Sequence, residues 1–156
     1  MIRAFLALPL PDPLRDRLAL VQHRLPLPRP VDAEAFHITL AFLDAQPEPV
    51  LQDLHLGLDM LRLPAPVLRL AGLGTFGGAT PDNVHVLIAP EPRLIALQAK
   101  VARAVRSCGI RLPARRFVPH VTLGRGAVDP VPLARAMAAV GAVTSDPWVA
   151  ETLILY

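Results

Sequence analysis

The chain has 156 residues, of which 53% are hydrophobic and 19% charged, a composition that fits one compact globular domain and excludes a disordered chain. Its formal net charge of +3, carried almost wholly by arginine, permits an anionic partner without identifying one. The single cysteine, Cys108, excludes an internal disulfide and a cysteine-based metal cluster.

The first residues have the pattern of a strand and not of a targeting signal. The apolar run of residues 2–8 is short, contains Arg3 and lacks a cleavage site with small residues. No apolar stretch reaches the length of a membrane span. We therefore expect a cytoplasmic monomer that does not contact a membrane.

The first half of the chain alternates strands and helices. Its predicted strands span residues 2–8, 36–43 and about 66–71. Asp12 is the predicted N-cap of the first helix, and Pro47 and Pro49 open the second. The glycine-rich segment 72–78 lacks the lysine and the helix of a phosphate-binding P-loop, so we predict a turn there.

The second half repeats this order. Its predicted strands span residues 83–88, 117–123 and 148–156, with helices opened by Pro90 and Pro92 and by Pro130 and Pro132. His37 and His120 lie 83 residues apart, as do Pro47 and Pro130, and the first strands begin about 81 residues apart. Such agreement predicts a duplicated half-domain, with halves at about 1–78 and 79–156.

This duplication predicts an α+β fold. We expect one bilobal domain whose two half-domains are related by a pseudo-twofold axis. Each half-domain should have an antiparallel sheet flanked by helices, and the cleft between the lobes should hold the active site.

Each half carries the same polar pair on a strand, His37 and Thr39 in the first and His120 and Thr122 in the second. Because strand side chains alternate, each histidine shares a face with its threonine, while Phe36, Ile38, Leu40 and Phe42 take the opposite, buried face. Two imidazoles on either side of a phosphodiester can act as general base and general acid, and the threonine hydroxyls can donate to its oxygens. A zinc site is the alternative, but no Asp, Glu or Cys accompanies the histidines, so neither a metal nor another cofactor is expected.

Two four-residue motifs resemble those of the two-histidine (2H) phosphoesterase superfamily: His37-Ile38-Thr39-Leu40 and His120-Val121-Thr122-Leu123. The segments 1–11, 36–44, 74–77 and 115–125 resemble its RNA 2′,3′-cyclic phosphodiesterase group, also called 2′-5′ RNA ligase or LigT-like. Members of that group continue beyond the strand that resembles residues 151–156, so either a truncation or a missing edge strand is expected here.

The resemblance implies a role for each matching residue. His37 would donate a proton to the leaving 3′ oxygen, and His120 would activate water, leaving a 2′-phosphate. Thr39 and Thr122 would hold the phosphate oxygens. Arg125 resembles a family arginine near the phosphate. Strict alternation would place it on the wrong face of its strand, so we expect it to lie beyond the regular strand or to reach round its end.

Three further residues are candidate substrate contacts. Arg116 lies four residues before His120, so alternation places it on the same face of the strand, where it could contact phosphate or stack on a base. Phe76 could stack on a nucleobase, and His85 could line the cleft from a strand of the second half. Phe5 and Phe42 could also stack on a nucleobase, but both are expected in the core.

Hydrolysis of RNA 2′,3′-cyclic phosphate ends, or of cyclic nucleotides, is the function that these residues favour. The same acid–base pair could instead join RNA ends through a 2′-5′ bond, or cleave 2′-5′ oligonucleotides. A non-catalytic module that binds RNA ends is the alternative from another class.

Overall fold

The computed structural model describes residues 1–156 and confirms the predicted α+β class. The four helices are α1 (Asp12–His23), α2 (Glu48–Asp59), α3 (Pro92–Ser107) and α4 (Pro130–Val140). The nine strands are β1 (Ile2–Pro9), β2 (Arg29–Pro30), β3 (His37–Gln46), β4 (Val67–Leu68), β5 (Leu70–Phe76), β6 (Asn83–Ile88), β7 (His120–Arg125), β8 (Trp148–Val149) and β9 (Ile154–Leu155). No helix has both the length and the apolar character to cross a bilayer.

The main sheet is antiparallel and has the strand order β5-β6-β7-β3-β1-β9, with β2 paired to β7. This order is symmetric, because β6 and β7 correspond to β1 and β3. The last strand of each sequence half pairs with a strand of the other half. The last strand of the first half, β5, pairs with β6, and the last strand of the second half, β9, pairs with β1. The two halves of the sheet are therefore each built from both halves of the sequence.

The central strands β3 and β7 meet at Ile38 and Val121. These residues are 83 positions apart, so each is the equivalent of the other in the repeat. An antiparallel pair between equivalent residues places the pseudo-twofold axis between them. Both side chains are fully buried on the apolar face of the sheet, and the neighbouring histidines and threonines therefore point to the other face.

Both central strands contain a β-bulge one residue after the threonine. On β3 the extra residue is Leu40, because Leu6 pairs with Ala41 and Ala7 pairs with Thr39. On β7 the extra residue is Leu123, because Val84 pairs with Gly124 and His85 pairs with Thr122. Each bulge is held by a glutamine of the other half's helix. The Gln98 amide on α3 donates to the Leu40 carbonyl at 3.3 Å, and that of Gln22 on α1 donates to the Leu123 carbonyl at 2.8 Å.

A single hydrophobic core lies between the sheet and the helices, and its 30 buried residues come from both halves. Leu18 of α1, Leu54 of α2 and Leu94 of α3 are all fully buried in it. The core is therefore continuous across the two halves of the sequence.

The structure corrects several predicted boundaries. The segment 72–76 is not a turn but part of β5, and the turn is limited to the residues before β6. The strand expected at 148–156 is two short strands, because β8 pairs with β4 and β9 with β1. Asp12 is the first residue of α1, and Pro11 occupies its N-cap. The strand expected from residue 117 begins at His120.

Candidate active site

Four half-buried side chains surround the pseudo-twofold axis on the polar face of the sheet: His37, Thr39, His120 and Thr122. The Ile38–Val121 pair sets their arrangement. Continuing this register places His37 opposite Thr122 and His120 opposite Thr39. The structure thus brings the two predicted polar pairs together in one site.

Both imidazoles are anchored by a backbone carbonyl two residues upstream. The Nδ1 atom of His120 lies 2.6 Å from the carbonyl oxygen of Val118 and donates to it in the neutral ring. His37 forms the equivalent hydrogen bond with the carbonyl of Ala35. With its proton on Nδ1, a neutral His120 keeps the lone pair of Nε2 free to accept a proton.

The site favours the neutral forms of both histidines. Burial lowers the pKa of His37, with smaller contributions from the positive charges of Arg125 and His120, while the hydrogen bond to Ala35 opposes the shift. Burial likewise lowers the pKa of His120, with a further contribution from Arg125 and an opposing one from the Val118 carbonyl. The positive charge of Arg125 therefore lowers the pKa of both rings.

Arg125 lies on the same face as the histidines, although strict alternation predicted the opposite. The bulge at Leu123 reverses the alternation, so Leu123 and Gly124 are both buried and the next residue, Arg125, is exposed. Arg125 is still within the regular strand, which corrects the expectation that it must lie beyond the strand or reach round its end.

The equivalent bulge corrects the prediction for Phe42. This residue was expected on the buried face, but it is 55% exposed and lines the cleft beside Thr39. Phe5 is half-buried and stacks on His37, with ring centroids 4.7 Å apart and an interplanar angle of 28°. Tyr156 stacks in turn on Phe5 at 5.0 Å. Sequence reasoning missed Phe42 because a bulge leaves no clear signal in the sequence, and it missed the stacking of Phe5 and Tyr156 because that depends on the pairing of β1 with β3 and β9.

Phe76 and His85 both pack against His120. The Phe76 ring meets the His120 ring edge-on at 5.0 Å, and the His85 ring lies 4.9 Å from it. Phe76 is 37% exposed and lines the cleft, and its stacking on a nucleobase stays a prediction. His85 is only 1% exposed, so it packs against His120 below the surface. It does not line the cleft, which corrects the prediction that it could.

An arginine-lined cleft of about 770 Å³ opens beside His120, whereas His37, Thr122 and Arg125 are not part of its lining. Thr39, Phe42, Phe76 and His120 line it, and so does the predicted Arg116. The other arginines of the wall are Arg103, Arg106 and Arg115, and the lining includes no carboxylate. Sequence reasoning singled out only Arg116 of these four, because the wall joins α3 to the segment after it.

Residues 10–155 match the family model described as the 2′-5′ RNA ligase superfamily. The chain is 34% identical over 128 residues to the RNA 2′,3′-cyclic phosphodiesterase of Geobacillus stearothermophilus, covering 78% of this chain and 41% of that protein. It is 33% identical over 135 residues to the Thermus thermophilus RNA 2′,3′-cyclic phosphodiesterase, covering 80% of this chain and 68% of the relative. The chain thus spans less than half the length of the first of these proteins.

Solved structures show the same likeness. E. coli LigT complexed with 3′-AMP superposes with a TM-score of 0.77 at 25% identity, covering 99% of this chain and 85% of LigT. TT0787 of Thermus thermophilus superposes with a TM-score of 0.73 at 30% identity, covering 99% of this chain and 87% of that one. The family resemblance found in the sequence is confirmed, and the chain belongs to the 2′-5′ RNA ligase superfamily.

Proposed function

We propose that this protein hydrolyses RNA 2′,3′-cyclic phosphodiester ends to 2′-phosphomonoesters by general acid–base catalysis between two histidines, without a metal ion. The observation that carries the proposal is the placement of His37 with Thr39 and His120 with Thr122 around one axis. The relatives named RNA 2′,3′-cyclic phosphodiesterase support the same reaction.

In the proposed reaction, water attacks phosphorus while Nε2 of His120 removes its proton. The hydrogen bond from Nδ1 to Val118 leaves that lone pair available. The bond between phosphorus and the 3′ oxygen breaks as protonated His37 donates to that oxygen. The products are a 2′-phosphate and a free 3′-hydroxyl, and the two histidines have exchanged protonation states.

Charge develops on the non-bridging phosphoryl oxygens in the transition state. Thr39 and Thr122 are the hydroxyl donors for these oxygens, and Arg125 supplies a positive charge beside both histidines. Donors fixed before the reaction stabilise that charge without reorganisation.

The cleft favours a nucleic-acid strand as the substrate. Its four arginines, Arg103, Arg106, Arg115 and Arg116, form no ion pair with a carboxylate of this chain. Unpaired arginines along a groove attract the phosphates of a strand that leads away from the reacting end. LigT, which shares the fold, has been crystallised with 3′-AMP and with phosphate, which supports a nucleotide as the ligand.

The proposal is tested by turnover of a 2′,3′-cyclic nucleotide with product analysis. His37→Ala and His120→Ala should each lower kcat by about 10²- to 10⁴-fold, the usual contribution of a general acid or base. His55→Ala is the matched control, because its side chain is 63% exposed on α2. Activity should survive EDTA and give the 2′-phosphate. Wild-type turnover in either active-site variant would refute the proposed mechanism.

RNA ligation is the second candidate, supported by the name of the matching superfamily. An RNA 5′-hydroxyl that replaces water as the nucleophile would form a 2′-5′ bond through the same two proton transfers. Supplying cyclic-ended and 5′-hydroxyl RNA together separates the reactions by their products. Tight binding with neither product would instead identify a non-catalytic module that binds RNA ends.

A further inference from the structure

The pseudo-twofold symmetry is broken directly behind Thr122. On β6, His85 pairs with Thr122 at the position where Ala7 of β1 pairs with Thr39. Asn83 pairs with Arg125 where the equivalent residue of β1 is apolar. Two polar side chains thus support one motif of the duplicated site and have no counterpart at the other.

These side chains form a continuous hydrogen-bonded chain that ends at Thr122. Nδ1 of His85 lies 2.9 Å from Oδ1 of Asn83. Nδ2 of the same amide donates to Oγ1 of Thr122 at 3.3 Å. An amide oxygen can only accept and an amide nitrogen can only donate, so the direction of both bonds is fixed.

The surroundings of His85 hold its ring in the required state. The ring is 1% exposed and packs on Phe76 at a centroid distance of 4.2 Å. A Cβ atom on Gly74 would lie 2.8 Å from Nε2, so only glycine leaves room for the ring. Burial, with a smaller contribution from His120, lowers the pKa of His85 to about 4. At neutral pH the ring is therefore uncharged, with its hydrogen on Nδ1 facing Asn83.

We propose that His85 and Asn83 are positioning residues that make Thr122 a hydrogen-bond donor to the phosphoryl group. The Thr122 oxygen accepts from Asn83, which leaves its only hydrogen free to point into the site. Thr39 has no such partner, so the two threonines differ in how strictly they are oriented. This inference rests on the proposed function, which places a phosphoryl oxygen against Thr122.

Two substitutions of Asn83 separate this role from packing. Asn83→Asp keeps the shape but replaces the donor with an acceptor, so the Thr122 hydrogen turns inward and is lost to the substrate. We expect kcat to fall by about 10- to 100-fold, the range for a hydrogen bond to a charged group. Asn83→Ala frees the hydroxyl to rotate and should cost less. A packing role predicts the reverse order, because Ala changes the volume more, and that order would overturn the proposal.

A pair of double-mutant cycles separates the orientation of Thr122 by Asn83 from repulsion between the introduced carboxylate and the substrate. In a Thr122→Val background the Asn83→Asp change should cost no more than about 3-fold in kcat, since no hydroxyl remains to be turned. In the matched Thr39→Val background its full effect should remain. Equal effects of Asn83→Asp in both backgrounds would overturn the proposal. Thermal unfolding midpoints confirm that each variant is folded.

The same cycles can be read without turnover, from the dissociation constant of inorganic phosphate measured by calorimetry or NMR. If the wild type fails to hydrolyse a cyclic nucleotide, the proposed function fails, and coupling between Asn83 and Thr122 in phosphate binding still supports the positioning role. If the wild type hydrolyses it but neither readout shows coupling, the positioning role fails and the proposed function stands.

Discussion

Arg125 on β7 occupies the position that Phe42 occupies on β3, 83 residues earlier. Each residue follows its bulge by two positions, and each is exposed on the polar face of the sheet. The site therefore presents a cation on one side of the axis and an aromatic ring on the other. We expect a nucleotide to lie with its phosphate toward Arg125 and its base toward Phe42.

Replacing Arg125 with methionine should move the pH profile of kcat/KM to higher pH. The charge of Arg125 lowers the pKa of both His37 and His120. The acidic limb reports the base, His120, which must be neutral, and the alkaline limb reports the acid, His37, which must be protonated. Without the cation both pKa values rise, so both limbs move upward. Arg135→Met on α4 is the control, and limbs that stay in place in Arg125→Met would contradict the role of this charge.

Removing either glutamine that holds a bulge should destabilise the fold. Gln22→Met and Gln98→Met each remove a donor to a carbonyl of a buried residue, Leu123 or Leu40. The expected loss is about 0.5–1.5 kcal/mol in the free energy of unfolding for each hydrogen bond removed, measured with denaturant, because the Leu123 carbonyl keeps its bond from the Val31 amide. Gln52→Met is the control, because its amide bonds only to exposed Glu48, and it should stay within about 0.5 kcal/mol. Wild-type stability in both bulge variants would show that water replaces the glutamines.

The sequence was sufficient to predict the α+β class and the position of the polar pairs, because the repeated His-x-Thr words and the helix-opening prolines depend on local patterns. It was not sufficient for Arg125 and Phe42, since one extra residue in a strand reverses every later side chain. The exchange of β5 and β9 also escaped prediction. Pairing between strands that are distant in sequence depends on tertiary packing, and local propensity carries no information about it.

Acid should destabilise the protein partly through His85. Its pKa falls from 6.5 to about 4 on folding, so between these values the unfolded chain binds more protons than the folded one. Stability from this group is complete above pH 6.5 and is lost as the pH falls towards 4, by up to about 3 kcal/mol. His85→Phe should therefore show a smaller decrease in the free energy of unfolding over this range. His55→Phe, at an exposed site, should retain the wild-type slope; equal slopes in all three proteins would refute the assignment.

The arginine wall should matter more for a long substrate than for a short one. Arg106→Ala should lower the ratio of kcat/KM for a cyclic-ended oligonucleotide to that for a cyclic mononucleotide, because only the longer ligand reaches the wall. The slope of log affinity against log salt should also decrease by about one for the oligonucleotide. Arg93→Ala is the control, since Arg93 is exposed at the start of α3 and does not line the cleft. An unchanged ratio would place the strand elsewhere.

Phe42 should contribute to substrate binding and little to stability, whereas Phe36 should do the opposite. Phe42 is 55% exposed beside the cleft, and Phe36 is 3% exposed in the core. Phe36→Ala should lower the free energy of unfolding by about 3–5 kcal/mol, the usual cost for a buried phenylalanine. Phe42→Ala should change it by less than about 1 kcal/mol but raise KM for a cyclic nucleotide about 5-fold or more, since stacking on a base is lost. A normal KM in Phe42→Ala would show that the base lies elsewhere in the cleft, with Phe76 the next ring to test.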